Sequence, residues 1–84
     1  MVYLYIIKSL QSGHFYVGIT KNVEIRLEKH NKGGVRSTKK GKPYRVILTE
    51  EYAGYPEARK REIEIKSYKG GLKFKELLRN CRVV

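Results

Sequence analysis

The chain has 84 residues, and its 19 Lys and Arg against eight acids, all of them Glu, give a formal net charge of +11. A chain this short is expected to form one domain that buries only ~60% of its unfolded surface, which argues against a large enclosed substrate cavity. The charge makes a polyanion the expected partner, with nucleic acid or an acidic membrane surface ahead of an acidic protein.

Val2 to Ile7 is β-branched and aromatic with both alternating faces apolar, which predicts a strand buried on both sides. It also lies in the longest uninterrupted apolar stretch, which falls far short of the ~20 residues that span a bilayer. No charged leader with a long apolar core precedes it, so the protein is expected to stay in the cytoplasm. Ser9 to His14, containing Gly13, reads as a turn, and Phe15 to Thr20 as a second short strand paired antiparallel to the first. Gly18 is out of place there, because a glycine inside a strand marks a point where another backbone or a ligand comes close.

Asn22 can cap a helix from Val23 to about Lys32, which Gly33 and Gly34 would stop, with Val23, Leu27 and His30 along one face. Val35 to Pro43 carries Arg36, Lys39, Lys40 and Lys42 and reads as a loop too polar and broken for regular structure. Tyr44 to about Tyr52 alternates as a third strand, with Tyr44, Val46 and Leu48 set against Arg45, Ile47 and Thr49. Pro56 suits the first turn of a second helix that runs to about Tyr68, before Gly70 and Gly71. A last amphipathic helix, Leu72 to about Arg79, is expected to bury Leu72, Phe74, Leu77 and Leu78. The order β-β-α-β-α-α predicts an α+β sandwich over residues 1–84, with a small three-stranded antiparallel sheet flanked by helices.

Cys81 is the only cysteine, so an intrachain disulfide and a cysteine-based zinc site are excluded. His14 and His30 cannot hold a metal alone, and with no Asp in the chain any ion must rely on Glu carboxylates and water. Oxygen-only ligation of that kind suits magnesium or manganese.

Several side chains qualify for chemistry. Tyr5 and Tyr16 project from the same face of a hairpin if facing residues have an index sum of 21, or one that differs from it by two. The competing reading is that tyrosines favour strands. Arg26 and His30, at i and i+4, share a helix face, where a guanidinium can clamp a phosphate and an imidazole can donate or relay a proton. A solvated basic face is the alternative. Glu62 falls on a stripe with Ala58 and Ile65, so it is the one acid turned toward a core. It could instead only pair with Lys66, an interaction worth ~0.2–0.5 kcal/mol. The loop bases Arg36, Lys39, Lys40 and Lys42 either grip a phosphate backbone or are simply solvated.

Taken together, these positions resemble the GIY-YIG nuclease family, and its small stand-alone members in particular. The first motif resembles Tyr3-Leu4-Tyr5 and the second Tyr16-Val17-Gly18, with the motif tyrosines eleven residues apart. Arg26 matches the family arginine, His30 a helical position often basic or histidine, and Glu62 the metal-binding glutamate, over a resemblance that spans residues 2 to about 78. Tyr3 stands where the first motif has glycine, and Asn80 lies eighteen residues after Glu62 rather than at the usual position of a C-terminal asparagine.

The resemblance implies hydrolysis of phosphodiester bonds in DNA, or in RNA, with one magnesium or manganese ion on Glu62. Arg26 would stabilise transition-state charge, Tyr5 accept the proton of the attacking water, and Tyr16 orient water or phosphate. Gly18 would let the nucleic-acid backbone approach, and Lys66 would join the loop bases as a phosphate contact. The rival reading is a non-catalytic nucleic-acid-binding module on the same fold. Membrane binding is disfavoured, since the bases do not stack opposite one apolar face. So small a surface offers little sequence readout, so nucleic-acid structure or a partner protein is expected to supply targeting.

Overall fold

The computed structural model describes residues 1–79, so Asn80 and Cys81 lie outside the described residues. Strands β1 (Val2–Ser9), β2 (Phe15–Thr20) and β3 (Tyr44–Tyr52) form one antiparallel sheet in the order β2-β1-β3. Helices α1 (Val23–Asn31), α2 (Tyr55–Ser67) and α3 (Leu72–Arg79) complete the expected order. Because β1 is the middle strand, both its faces need apolar cover, which is why Val2 to Ile7 does not alternate with polar residues.

The two faces have different cores. Leu4 and Ile6 pack with Val17, Ile47, Leu48, Ile65 and Phe74, which brings α2 and α3 onto one face. Tyr5, Ile7 and Tyr44 gather Tyr16, Val23, Leu27 and Val46, which brings α1 onto the other. The β1–β2 register sets Tyr5 opposite Gly18 and Ile7 opposite Tyr16, an index sum of 23. Tyr5 and Tyr16 are therefore diagonal neighbours on the α1 face.

Helix α1 starts where expected, with Asn22 Oδ1 accepting the Ile25 N–H at 3.0 Å, a cap worth ~1 kcal/mol. It stops at Asn31 with Lys32 as its C-cap, and Gly33 just beyond has a φ of 77° that suits glycine. At its last turn Asn31 Oδ1 accepts the Tyr44 N–H at 2.6 Å, and Asn31 Nδ2 donates to the Tyr44 carbonyl at 3.2 Å. That amide pins the end of α1 to the start of β3.

Three local expectations need correction. Residues Arg36–Gly41 form a 3₁₀ helix rather than an irregular loop. Sequence polarity hid it, because what holds it is buried: Thr38 is 2% exposed and Ser9 Oγ donates to the Gly41 carbonyl at 2.5 Å. In β3 the strict alternation fails at a bulge, where Ile7 faces Val46 but Ile6 faces Leu48. The extra residue moves Leu48 to the α2 face beside Ile47, away from Tyr44 and Val46. Leu72 is 69% exposed rather than buried. Phe74 is buried, with Leu77 and Leu78 half-buried beside it at i+3 and i+4, and a residue two positions before Phe74 lies ~200° around the helix from it.

Candidate active site

Tyr5 is the hub. Its ring lies across the neighbouring strand over Gly18, where an added Cβ would come 2.6 Å from the hydroxyl and 2.8 Å from Cζ. Real Cβ contacts are never that close, so the glycine is required by a contact inside the protein. This replaces the reason inferred from sequence: the space beside Gly18 is filled by Tyr5 rather than kept open for a nucleic-acid backbone.

Helix α1 supplies two partners. Arg26 Nε donates to the Tyr5 hydroxyl at 3.3 Å, and His30 Nε2 lies 2.9 Å from the same oxygen. The i, i+4 spacing of Arg26 and His30 sets both on the helix face turned to the sheet. Arg26 can only donate, which leaves His30 Nε2, when it carries no hydrogen, as the acceptor within reach of the Tyr5 proton. On its other side His30 Nδ1 is 2.6 Å from Thr38 Oγ1. Tyr16 closes the cluster, its ring centroid 4.8 Å from the imidazole in an edge-to-face arrangement and 6.2 Å from Tyr5.

The electrostatics follow from burial. His30 is fully buried, and desolvation, followed by the positive charges of Arg26 and Lys29, pushes its pKa down to about 4. It is a neutral acceptor at neutral pH. Burial also holds the Tyr5 phenol above its ordinary pKa; the bond from Arg26 opposes this, while Tyr16 and the carboxylate of Glu62 add to the rise. The phenols of Tyr5 and Tyr16 in turn make Arg26 harder to deprotonate.

Glu62 projects from α2, in the opposite helix layer, and its charge is the smallest of the influences that raise the Tyr5 phenol. It is 8% exposed, on the stripe with Ala58 and Ile65 that the sequence predicts. Lys66 Nζ is 3.2 Å from Oε2 and Arg59 Nε 3.8 Å from Oε1. Both cations are more than half exposed, so these pairs contribute only ~0–1 kcal/mol each. Lys66, expected as a phosphate contact, is thus an ion-pair partner of Glu62 in the free protein. Arg36, Lys39, Lys40 and Lys42 are exposed on and beside the 3₁₀ segment that carries Thr38, and the Lys39 and Lys42 side chains approach Gly33 at the end of α1.

With this geometry in view, comparison with known proteins identifies the fold. A model of the GIY-YIG catalytic domain matches residues 1–74. The chain belongs to the GIY-YIG family. UPF0213 proteins of Staphylococcus aureus, strains Mu3, Mu50 and N315 among them, are 43% identical over 67 residues, which cover 79% of this chain and 80% of theirs. The solution NMR structure of a UPF0213 protein from Bacillus halodurans is 32% identical and superposes with a TM-score of 0.53, over 93% of this chain and 82% of that one.

The GIY-YIG match takes in Tyr5, Tyr16, Arg26, His30 and Glu62, and also Thr38 and Asn31, which sequence reasoning passed over. A threonine in a basic, glycine-containing stretch and an asparagine at a helix end are too common to signal a site. Among the described residues no group of three or more His, Cys or Glu is arranged to hold a metal ion. The donor set nonetheless fits magnesium, which keeps several waters and takes one or two carboxylates together with substrate phosphate. No helix among the described residues is long and apolar enough to cross a membrane.

Proposed function

We propose that the chain is a metal-dependent endonuclease that hydrolyses phosphodiester bonds in DNA. The observation that supports this most is the buried cluster in which Arg26 donates to Tyr5 and Tyr5 faces a neutral His30. Membership of a family defined by its catalytic domain supports the reaction class, and the net charge of +11 supports a nucleic-acid substrate.

In this reading Arg26 binds the scissile phosphate. A guanidinium has five N–H donors, so one bond to Tyr5 leaves capacity for two phosphate oxygens. Tyr5 is 1% exposed, so its hydroxyl meets water only when the phosphate draws Arg26 outward. The phosphate also offsets the Arg26 charge that helps to depress the His30 pKa. His30 then accepts a proton more readily, and Tyr5 can take one from water as it releases its own to Nε2. Tyr16, half-buried at the rim, orients the water or the phosphate. Glu62 would hold one magnesium or manganese ion, which when bound supplies Lewis-acid and charge-neutralising chemistry to the phosphate. The exposed bases of the 3₁₀ segment hold the flanking backbone, and targeting falls to nucleic-acid structure or to a partner protein.

The rival reading, a binding module without catalysis, is favoured by one feature: the Tyr5 hydroxyl and His30 are both sealed from water in the free protein. Cleavage of supercoiled, linear and branched DNA, and of RNA, with magnesium decides between them. Wild type should cut, and Glu62→Gln and Arg26→Ala should not. Binding without cleavage of any substrate would establish the module, and cleavage that survives both substitutions would reject the assigned site.

A further inference from the structure

We infer that Thr38 is a positioning residue that fixes His30 as the Nδ1–H tautomer, so that Nε2 always faces Tyr5 as an acceptor. The use of that acceptor in cleavage rests on the function proposed above; the tautomer itself does not.

Both ends of the hydrogen-bond chain favour this tautomer, and neither holds it without the other. At the Tyr5 end, Arg26 Nε and His30 Nε2 both meet the hydroxyl oxygen. Since Arg26 is donor-only, an N–H on Nε2 would aim two donors at that oxygen and leave the buried Tyr5 proton with no acceptor among the described contacts. At the Thr38 end, the hydroxyl is 2.6 Å from His30 Nδ1 and 3.3 Å from the Val35 carbonyl. A carbonyl only accepts, so a Thr38 hydroxyl that donates to Val35 leaves its oxygen to accept from Nδ1–H. A neutral imidazole carries one N–H, and the two ends together place it on Nδ1. The chain therefore runs from Arg26 to Tyr5, to His30, to Thr38 and to the Val35 carbonyl.

The local fold holds Thr38 in place. Its N–H donates to the same Val35 carbonyl at 3.1 Å, which closes the first 3₁₀ turn, and the far end of the segment is tied to Ser9. The hydroxyl is thus aimed by its own backbone. An imidazole whose second nitrogen is anchored in this way is held in orientation as well as in tautomer, the arrangement by which outer partners tune a reacting histidine. It also links the exposed bases Arg36, Lys39 and Lys40 to the imidazole through a single buried oxygen.

The test is the two-bond proton–nitrogen correlation pattern of the His30 ring at neutral pH in wild type, Thr38→Val and Thr38→Ser, with His14→Asn in the background so that only one histidine reports. Wild type and Thr38→Ser should show a single Nδ1–H tautomer. Thr38→Val, which keeps the shape and removes the oxygen, should move the ring to the Nε2–H form or to a mixture. Cleavage should fall by about 10²-fold in Thr38→Val, the low end of what a positioned acid or base contributes, and be largely restored in Thr38→Ser. Wild type in the Nε2–H form overturns the inference, as does an unchanged Nδ1–H pattern in Thr38→Val. If the valine variant does not fold, Thr38→Ala, which also lacks the oxygen, should show the same change, and an unchanged Nδ1–H pattern there overturns the inference equally. A tautomer change with undiminished cleavage supports the role of Thr38 and overturns instead the use of His30 in the reaction.

Discussion

The Tyr5 hydroxyl lies 2.9 Å from His30 Nε2, a buried contact between a central strand and a helix 25 residues later in the chain. It is the junction of the site, and it makes the phenolic oxygen a structural group as well as a candidate chemical one. Tyr5→Phe keeps the ring over Gly18 but leaves the Nε2 lone pair and the Arg26 Nε–H without that partner. Leaving a buried polar group unpaired costs ~1–3 kcal/mol. Urea denaturation should show a loss in that range, with cleavage abolished while the protein is still folded.

Gly18→Ala is expected to be worse than its one carbon suggests. The added Cβ would stand 2.6 Å from the Tyr5 hydroxyl, so the ring must move off its bonds to Arg26 and His30. Overpacking of this kind costs ~1–3 kcal/mol. The expected signature is a shift of the Tyr5 and His30 ring resonances together with lost cleavage at temperatures where the variant remains folded. Unchanged ring resonances would refute the steric account.

Arg26→Gln should raise the pKa of His30. The Arg26 charge is the second contributor, after burial, to the depression to about 4, so its removal moves the imidazole upward, though burial and Lys29 keep it below 6.5. Titration of His30 followed by NMR gives the direction, and a fall in the pKa would contradict it. Saturating an intact Arg26 with a non-cleavable phosphodiester should move His30 the same way.

His30 also predicts a loss of stability in mild acid. Its folded pKa is depressed to about 4 from 6.5, so the unfolded chain binds a proton first as the pH falls. The stabilisation is present in full above pH 6.5 and is lost between 6.5 and about 4, on the order of 3 kcal/mol in all. Urea midpoints measured from pH 7 to pH 4 should fall through this window in wild type and much less in His30→Asn.

Glu62→Gln should separate catalysis from stability and from binding. Its ion pairs with the exposed Lys66 and Arg59 contribute little, so the change in stability should stay within ~1 kcal/mol. Magnesium-dependent cleavage should disappear, whereas nucleic-acid affinity and its decline with salt should be retained, since the exposed bases are untouched. A variant that still cuts with magnesium would remove Glu62 from the metal role.

Much of this arrangement is readable from periodicity. Tyr5 and Tyr16 share a face because side chains alternate along strands, and Arg26 and His30 because i and i+4 align on a helix. Glu62 is turned inward because Ala58 and Ile65 flank it at helical spacing. What stays hidden depends on partners distant in sequence or on a shift by one residue. The bulge that moves Leu48 to the other face has no local signature in a run as uniformly apolar as Val46-Ile47-Leu48. Gly18 is conspicuous in sequence, but only the register opposite Tyr5 reveals what fills its space. Thr38 gains its meaning entirely from a helix eight residues earlier. The buried side of the 3₁₀ segment is invisible among lysines that dominate its composition.

Tyr5 sits on the strand that is paired along both edges, the part of such a sheet in which backbone amides are freed only when the whole molecule opens. Hydrogen exchange at the amide of Tyr5 should accordingly report the global opening free energy, and exchange in the 3₁₀ segment a smaller local one. The backbone that carries the hub is then as stable as the fold itself. Whatever movement admits a substrate must come from the periphery, from the Arg26 side chain and the basic segment around Thr38.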